Sequence, residues 1–155
     1  MHDGPDHHDA ELLLRLYDLR REEKLRRARA WFIGKFHANS LEEAQQVCPP
    51  NSEENDYFRM TMSYWDMAAS LVNRGLIHEQ FFFENTGEFW AVWDKARLLV
   101  PPLRDSFKDP HAYENLEKLA LKYEKWMAGR APEGLEARRQ RLSASAGEPS
   151  SPTGR

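Results

Sequence analysis

The histidines are the first residues to test for chemistry, because imidazole is a common metal ligand and general base. A di-iron helical bundle needs paired Glu-x-x-His motifs, and a zinc peptidase needs His-Glu-x-x-His. Neither motif occurs, although His7 and Glu11 have the spacing of two ligands on one face of a helix. No metal and no cofactor is therefore predicted. The histidines are His2, His7, His8, His37, His78 and His111.

Carboxylates and the single thiol do not assemble a catalytic centre either. Asp66 falls on the polar stripe of a predicted central helix, and Glu79, Glu84 and Glu88 surround an aromatic turn. Helix caps and solvated helix faces account for such positions. Cys48 precedes two prolines at a predicted helix end, where the helix dipole raises a thiol pKa. The sequence has no Gly-x-Ser-x-Gly elbow, P-loop or Gly-rich dinucleotide turn, so it favours a protein without enzymatic activity.

The composition is typical of a small globular protein with a large charged surface. The 155 residues are 41% hydrophobic and 30% charged, and the net charge of -3 argues against wholesale binding to nucleic acid. A single cysteine excludes an intramolecular disulfide and favours a reducing compartment. The sequence contains no secretory signal and no apolar run of the roughly 18 residues that span a membrane. A cytoplasmic location is expected by default.

Basic residues concentrate in the first predicted helix, between residues 15 and 29. Arg20, Arg21, Lys24 and Arg27 form a candidate basic patch for the phosphates of a nucleic acid or of an anionic membrane. Acidic residues interrupt the cluster at spacings that form ion pairs within a helix. An ordinary charged helix surface is the favoured interpretation. An adaptor for nucleic acid or for a membrane surface is the alternative.

Apolar residues predict that this first helix is long and begins after Asp9 as its N-cap. Residues 1–8 are predicted to be a flexible arm. The second half of the helix has an apolar face that recurs every three or four residues, so it is expected to pack on the body of the protein. The first half, with Leu12, Leu16 and Leu19, is expected to project or to meet a partner.

The centre of the chain has clear capping signals. Ser40 and Glu43 form a capping box that predicts a short helix. Residues 52–74 predict a helix whose polar side chains occupy one narrow stripe, and such a helix lies in the middle of a bundle. Gly75 is its predicted C-terminal cap.

Three more helices are predicted after Gly75. The first covers residues 78–84, and the second begins after Gly87 and is kinked or restarted by two prolines at residues 101–102. Asp109 and Pro110 predict the start of the last helix, which ends at Gly129. The sequence thus predicts an all-α domain over residues 9–129, a compact bundle of five to six helices. Residues 130–155 are basic and then rich in Ser, Gly and Pro, which predicts a disordered tail.

Phe81, Phe82 and Phe83 are consecutive, and Trp90 and Trp93 follow them. Three consecutive side chains cannot all face the same way on a helix. One interpretation is that neighbouring helices enclose all of these rings. The other is an exposed aromatic patch that serves as a partner interface, with Phe82 and Trp90 as its members.

The order of motifs between Tyr57 and Leu116 resembles a bacterial helical family of unknown function. Gly-Leu-Ile ends a helix at residues 75–77, an aromatic turn follows, then a tryptophan-containing helix, and the last helix starts near Asp-Pro. The resemblance covers residues 29–127 and implies a helical fold with no established activity. Family members often carry a membrane anchor before the domain. Residues 12–19 are too short for one, and Arg15 and Asp18 interrupt them.

The favoured functional hypothesis is a non-enzymatic protein–protein interaction module that self-associates. Leu12, Leu16 and Leu19 on the first helix, with Phe82 and Trp90 of the aromatic patch, form its candidate interface. These are the apolar and aromatic residue types that dominate the energetics of protein interfaces.

A second hypothesis is a ligand-binding or enzymatic domain with a pocket beneath Trp65, Trp93 and Tyr123. Asp66 or Glu84 would supply its polar group. Such a site requires a concave cavity with converging polar atoms. No particular small molecule is indicated.

Overall fold

The computed structural model describes residues 4–147. In that part of the chain it has nine helices and no strand, so the all-α prediction is confirmed and the predicted five to six helices are too few. A break in the first predicted helix and an added helix in the predicted tail account for much of the difference. The helices are α1 His7–Arg20, α2 Glu23–Gly34, α3 Leu41–Val47, α4 Glu53–Asn73, α5 Glu79–Asn85, α6 Glu88–Ala96, α7 Val100–Phe107, α8 Glu114–Arg130 and α9 Gly134–Gly147.

The predicted long first helix is wrong, because it is divided into α1 and α2. The amide of Arg21 donates to the carbonyl of Asp18 at 3.1 Å, which closes α1 with a tight turn. The Glu22 side chain then accepts hydrogen bonds from the amides of Lys24 and Leu25 and caps α2. A glutamate N-cap is outside the preferred set of Ser, Thr, Asp and Asn, so the sequence pattern alone indicated a continuous helix.

The start of α1 also differs from the prediction. The Asp6 side chain accepts hydrogen bonds from the amides of His8 and Asp9, and the Asp9 carboxylate accepts one from the Asp6 amide at 2.8 Å. This reciprocal capping box starts the helix at His7. Residues 7 and 8, predicted as part of a flexible arm, are therefore helical, and residues 1–3 of that arm lie outside the described residues.

Helix α4 lies at the centre of the bundle, with α2, α6 and α8 packed on it. Its N-cap is Ser52, as predicted from the sequence. At its other end Gly75 has a φ of 75°, which a glycine adopts without steric cost. The amide of Leu76 donates to the carbonyl of Leu71 at 2.9 Å, completing a Schellman motif. Both predicted ends of this helix are confirmed.

Helix α8 begins later than the predicted start at Asp109. The Asp109 side chain accepts a hydrogen bond from the amide of His111 at 2.9 Å and forms a turn instead. Tyr113 follows in the left-handed conformation with a φ of 59°, and the helix starts after it. The Asp66 carboxylate on α4 accepts from the Leu116 amide at 3.0 Å, so another helix caps α8.

The last helix, α9, occupies part of the predicted disordered tail. Residues 134–147 are helical and pack against α2 and α8. The Ser- and Gly-containing sequence after Leu142 predicted disorder, whereas the helix continues to Gly147. Residues 148–155, the remainder of that predicted tail, lie outside the described residues.

Candidate functional site

The candidate interface does not form one exposed surface. Leu16, Phe82 and Trp90 are buried, Leu12 is half-buried and Leu19 is exposed. The prediction that Phe82 and Trp90 belong to an exposed aromatic patch is wrong. Of the five residues, Leu12 and Leu19 remain within reach of a partner.

Neighbouring helices enclose the aromatic cluster. The Phe82 ring lies 5.4 Å from the Phe89 ring, and Phe81 packs half-buried against the edge of the core. Trp90 is fully buried, and its indole N–H donates to the Glu124 carboxylate on α8 at 3.1 Å. Phe82, Phe83, Trp90 and Trp93 are thus buried and Phe81 is partly buried, which agrees with the interpretation that neighbouring helices enclose these rings.

Buried contacts hold the inner face of α1 on the body. Leu13 and Leu16 are buried, and the Asp9 carboxylate accepts a hydrogen bond from the His78 amide at 2.7 Å. The Tyr64 hydroxyl donates to the backbone carbonyl of Leu16. Burial raises the pKa of Tyr64 to about 12, so the hydroxyl keeps its proton at neutral pH and remains a donor.

One flank of α1 keeps apolar side chains at the surface. Leu19 is 54% exposed, and Leu12, seven residues earlier, lies about 20° away around the helix axis. Leu14 is 65% exposed but points to the other side of α1. Leu12 and Leu19 together are called the α1 flank below.

The candidate basic patch is divided between solvent and internal contacts. Arg21, Lys24 and Arg27 are exposed, and Arg27 forms an ion pair with Glu23 one turn earlier. Arg20 instead covers two aromatic rings, with its guanidinium carbon 4.0 Å from the nearer ring centroid. The patch therefore does not present its four charges together to a phosphate backbone.

Arg29, on the same helix, forms an enclosed ion pair with Glu88 at the start of α6. The two guanidinium–carboxylate hydrogen bonds measure 2.7 and 3.0 Å. The side chains are only 15% and 23% exposed. The Trp65 indole also donates to Glu88, at 3.2 Å. Glu88 thus joins α2, α4 and α6, and its oxygens are used in structural contacts.

The predicted pocket beneath Trp65, Trp93 and Tyr123 is occupied by the core, because all three side chains are buried in it. Asp66, a predicted polar group of this pocket, caps the first turn of α8. Glu84, the other one, is exposed and accepts a hydrogen bond from a glutamine one turn earlier. Two surface grooves formed by residues 4–147 are lined by other residues.

Helix α9 places two consecutive arginines against α6 and α8. Arg139 Nε donates to the Asp94 carboxylate at 3.0 Å, and Arg139 Nη2 lies 3.8 Å from Glu124. The Asp94 side chain is 12% exposed, so this ion pair is partly shielded from solvent. The guanidinium carbon also lies 5.3 Å from the ring of Trp90, a cation–π distance.

Arg138 contacts the turn before α6. Its Nη1 donates to the backbone carbonyl of Gly87 at 3.2 Å and lies 3.5 Å from the Tyr123 hydroxyl. Both arginines therefore sit in a set of acceptors and rings from α6, the turn before it and α8. This set, called the arginine cradle, comprises Gly87, Trp90, Asp94, Tyr123 and Glu124.

A groove of about 420 Å³ lies beside the arginine cradle, between α6, α9 and the segment after α2. Lys95, Arg97 and Arg139 supply three cations to its wall, and Asp94 supplies one carboxylate. Asp94 pairs with Arg139 at 3.0 Å and with Arg97 at 3.4 Å, so this carboxylate partly neutralises the positive charge of the groove. The full lining is His37, Asn39, Asp94, Lys95, Arg97, Leu98, Arg139, Leu142 and Ser143.

Lys95 has the most perturbed charge in this groove. Its ammonium donates to the backbone carbonyl of Ile33 at 2.8 Å, in the last turn of α2. Burial lowers the pKa of Lys95 to about 8, because a carbonyl dipole compensates a desolvated charge less well than a carboxylate does. A substantial fraction of the amine is therefore neutral in mildly alkaline solution.

Residues 4–147 contain no group of three His, Cys, Asp or Glu side chains arranged to hold a metal ion. Cys48 is buried, and burial raises the pKa of its thiol, so the reactive thiolate is disfavoured. None of the described helices combines the length and the apolar composition needed to cross a membrane.

The acidic partners of the tail arginines were missed by sequence reasoning. Arg138 and Arg139 are recognisable as a basic cluster, but Asp94 and Glu124 lie 45 and 15 residues from Arg139 along the chain. Their one local signal is that Asp94 follows Trp90 by one helical turn, which puts an acid and an indole on one face of α6.

The comparisons with known proteins point to a family without a described activity. A family model matches residues 5–126, which extend from just before α1 into the last turns of α8. Comparison with curated proteins found no match, and comparison with solved structures found none either. The match covers well over half of the chain and confirms the resemblance to a helical family of unknown function. The chain belongs to the family described as Domain of unknown function (DUF4760).

Proposed function

We propose that this chain is a cytoplasmic, non-enzymatic interaction module that self-associates through the α1 flank. The observation that carries the proposal is the position of Leu12 and Leu19 on a helix whose inner face is fixed by Leu13, Leu16 and Asp9. An apolar flank on a fixed helix loses little conformational freedom when a partner covers it.

A second copy of the chain is the partner that fits this flank. Leu12 and Leu19 lie almost in line along α1, so two antiparallel copies related by a twofold axis would place each Leu12 against the other copy's Leu19. Such an isologous contact buries the same patch on both copies and closes the assembly as a dimer. Glu11 and Arg15, both exposed beside the flank, would lie at its polar rim.

The test is the mass of the protein in solution after a charge is placed on one side of α1 or the other. Leu19→Asp is expected to convert a dimer into a monomer, because it buries a carboxylate without a partner in the interface. Leu14→Asp is the matched control, since Leu14 is 65% exposed on the same helix but outside the flank. Sedimentation velocity measures both variants beside the wild-type protein.

A wild-type protein that is monomeric at the highest soluble concentration would contradict self-association. Equal effects of Leu19→Asp and Leu14→Asp would contradict the assignment to this flank. Leu16→Asp is not a useful variant for this purpose, because Leu16 is buried and its substitution would disturb the fold.

A further inference from the structure

We propose that the arginine cradle is a binding site for two adjacent arginines on a helix, which α9 occupies in this chain and an arginine-rich helix of a partner protein can occupy in its place. In this view α9 is an internal competitor for the partner. The arginine cradle shares no residue with the α1 flank. The contacts, burial and position of α9 support this role.

The arginine cradle is matched to guanidinium groups. Asp94 and Glu124 supply two carboxylates, and the indole N–H of Trp90 donates to Glu124 at 3.1 Å and so fixes its orientation. The Trp90 ring lies 5.7 Å from the guanidinium carbon of Arg138 and 5.3 Å from that of Arg139. The planar guanidinium of arginine can pair with a carboxylate and contact an aromatic ring at the same time, which the compact ammonium of lysine does less well.

The absence of a side chain at Gly87 leaves space for the guanidinium group of Arg138. A Cβ atom at residue 87 would lie 2.7 Å from Nη1 of Arg138 and 3.0 Å from the Tyr123 hydroxyl. The guanidinium therefore occupies space that any other residue at this position would fill. Because Gly87 has no side chain, Arg138 also reaches the Gly87 carbonyl, to which its Nη1 donates at 3.2 Å.

The contacts of α9 are suited to release. Among residues 134–144, whose exposure the structure describes, none is buried, and Leu135 and Leu142 are only partly so. Arg139 remains 39% exposed while it pairs with Asp94. Partly exposed ion pairs contribute little net stability and weaken as salt is added, so α9 is held much less firmly than a helix with a buried apolar face.

The position of α9 in the chain supports its role as an added competitor. Every residue of the arginine cradle lies within residues 5–126, which match the family model, whereas Arg138 and Arg139 lie beyond them. The cradle therefore lies within the matched segment of this chain, and its present occupant lies after that segment. An intramolecular occupant lowers the apparent affinity for a partner by the fraction of molecules in which the site is free.

The experiment uses the full chain and a fluorescent peptide with the sequence of residues 132–147, which carries both arginines. The wild-type protein is expected to bind this peptide weakly, because α9 occupies the site. Arg138→Ala/Arg139→Ala should bind it about tenfold more tightly or better, because the site is then free. Adding Asp94→Asn and Glu124→Gln to that variant should abolish the gain. Fluorescence anisotropy measures each affinity at low and high salt.

Two control variants sharpen the result. Arg26→Ala/Arg74→Ala removes two exposed arginines from α2 and from the end of α4, and should bind the peptide like the wild type. Gly87→Ala should loosen α9 but also block the peptide. The added methyl group fills the space that the Arg138 guanidinium occupies in α9 and that the equivalent arginine of the peptide would need. Hydrogen exchange by mass spectrometry should show faster exchange in α9 and unchanged protection of α4 in the double arginine variant.

Each contrary result overturns the proposal. Unchanged protection of α9 in Arg138→Ala/Arg139→Ala would show that the arginines do not hold it. Failure of that variant to bind the peptide, or equal binding by the wild type, would show that α9 does not compete for a site. Binding that survives Asp94→Asn/Glu124→Gln would place the peptide elsewhere.

Discussion

The first and the last described helices contact the body of the protein through opposite kinds of side chain. α1 inserts Leu13 and Leu16 into the core and receives a hydrogen bond from a buried tyrosine hydroxyl. α9 has no buried residue among those with described exposure; Arg138 and Arg139 donate hydrogen bonds to the body, and Leu135 and Leu142 pack partly buried against the core. Both helices pack on the same bundle, yet among the residues with described exposure only α1 has fully buried apolar side chains.

The difference indicates how firmly each helix is held. Burial of an apolar side chain contributes roughly 1.5–3 kcal/mol and does not depend on salt in the way that charge pairs do. A partly exposed ion pair contributes about 0–1 kcal/mol. α1 is therefore expected to open only when the whole domain unfolds, and α9 to open at a much lower cost.

The largest expected effect comes from removing an apolar anchor of α1. Leu16→Ala should lower the free energy of unfolding by about 2–4 kcal/mol, because it deletes a buried side chain and leaves a cavity. Leu14→Ala, on the same helix but 65% exposed, should cost less than about 0.5 kcal/mol. Urea denaturation followed by circular dichroism compares the two. Similar costs at both positions would break the contrast, since α1 would then not be anchored through its inner face.

The parts of the fold that the sequence predicts are those with local signals. Ser52 and Gly75 mark the ends of α4 through side-chain capping and a positive φ, both of which depend on the residue type at one position. Two consecutive prolines occupy the first turn of α7, where the sequence predicted that the helix is kinked or restarted. These features need no information from the rest of the molecule.

The features that the sequence does not predict depend on distant partners or on uncommon caps. α2 starts on a glutamate N-cap, Glu22, and α8 is capped by Asp66 from another helix. Burial of Trp90 requires Glu124 on α8 to accept its indole N–H. The periodicity of α1 located its leucines, but it did not show that the Leu16 side chain is buried in the core. Arg138 lies 51 positions from the Gly87 carbonyl to which it donates, so the local spacing of Trp90 and Asp94 does not reveal which residues the arginine cradle binds.

The next effect compares the same chemistry in two environments. Glu88→Gln should cost about 2 kcal/mol, because it leaves the enclosed Arg29 guanidinium without its charge partner. Asp94→Asn should cost less than about 1 kcal/mol, since Arg139 is more exposed and keeps Glu124 within 3.8 Å. Urea denaturation of both variants at one salt concentration gives the comparison. A larger loss for Asp94→Asn would show that the Arg139 contacts are structural and that α9 is firmly held.

The smallest expected effect is a pH dependence at the margin of α9, where Lys95 lines the groove. The folded protein lowers the pKa of Lys95 to about 8 from an ordinary value of 10.5. Between these two values the unfolded chain binds more protons than the folded protein, so the free energy of unfolding rises with pH in that window. After a discount for solvent screening the rise should be about 1 kcal/mol. It should be measured below about pH 9, because above that Cys48, whose thiol pKa is raised by burial, and then Tyr64, with its pKa raised to about 12, act in the opposite direction.

Lys95→Met should remove this rise, and the comparison is made between the slopes of stability against pH rather than between absolute stabilities. The slope also reports on α9, because Arg139 and Leu142 of that helix form part of the wall around Lys95. In Arg138→Ala/Arg139→Ala the groove opens, water reaches the ammonium, and the slope should decrease toward that of Lys95→Met. An unchanged slope in the double arginine variant would mean that α2 and α6 alone bury Lys95, and that α9 does not shield its ammonium from water.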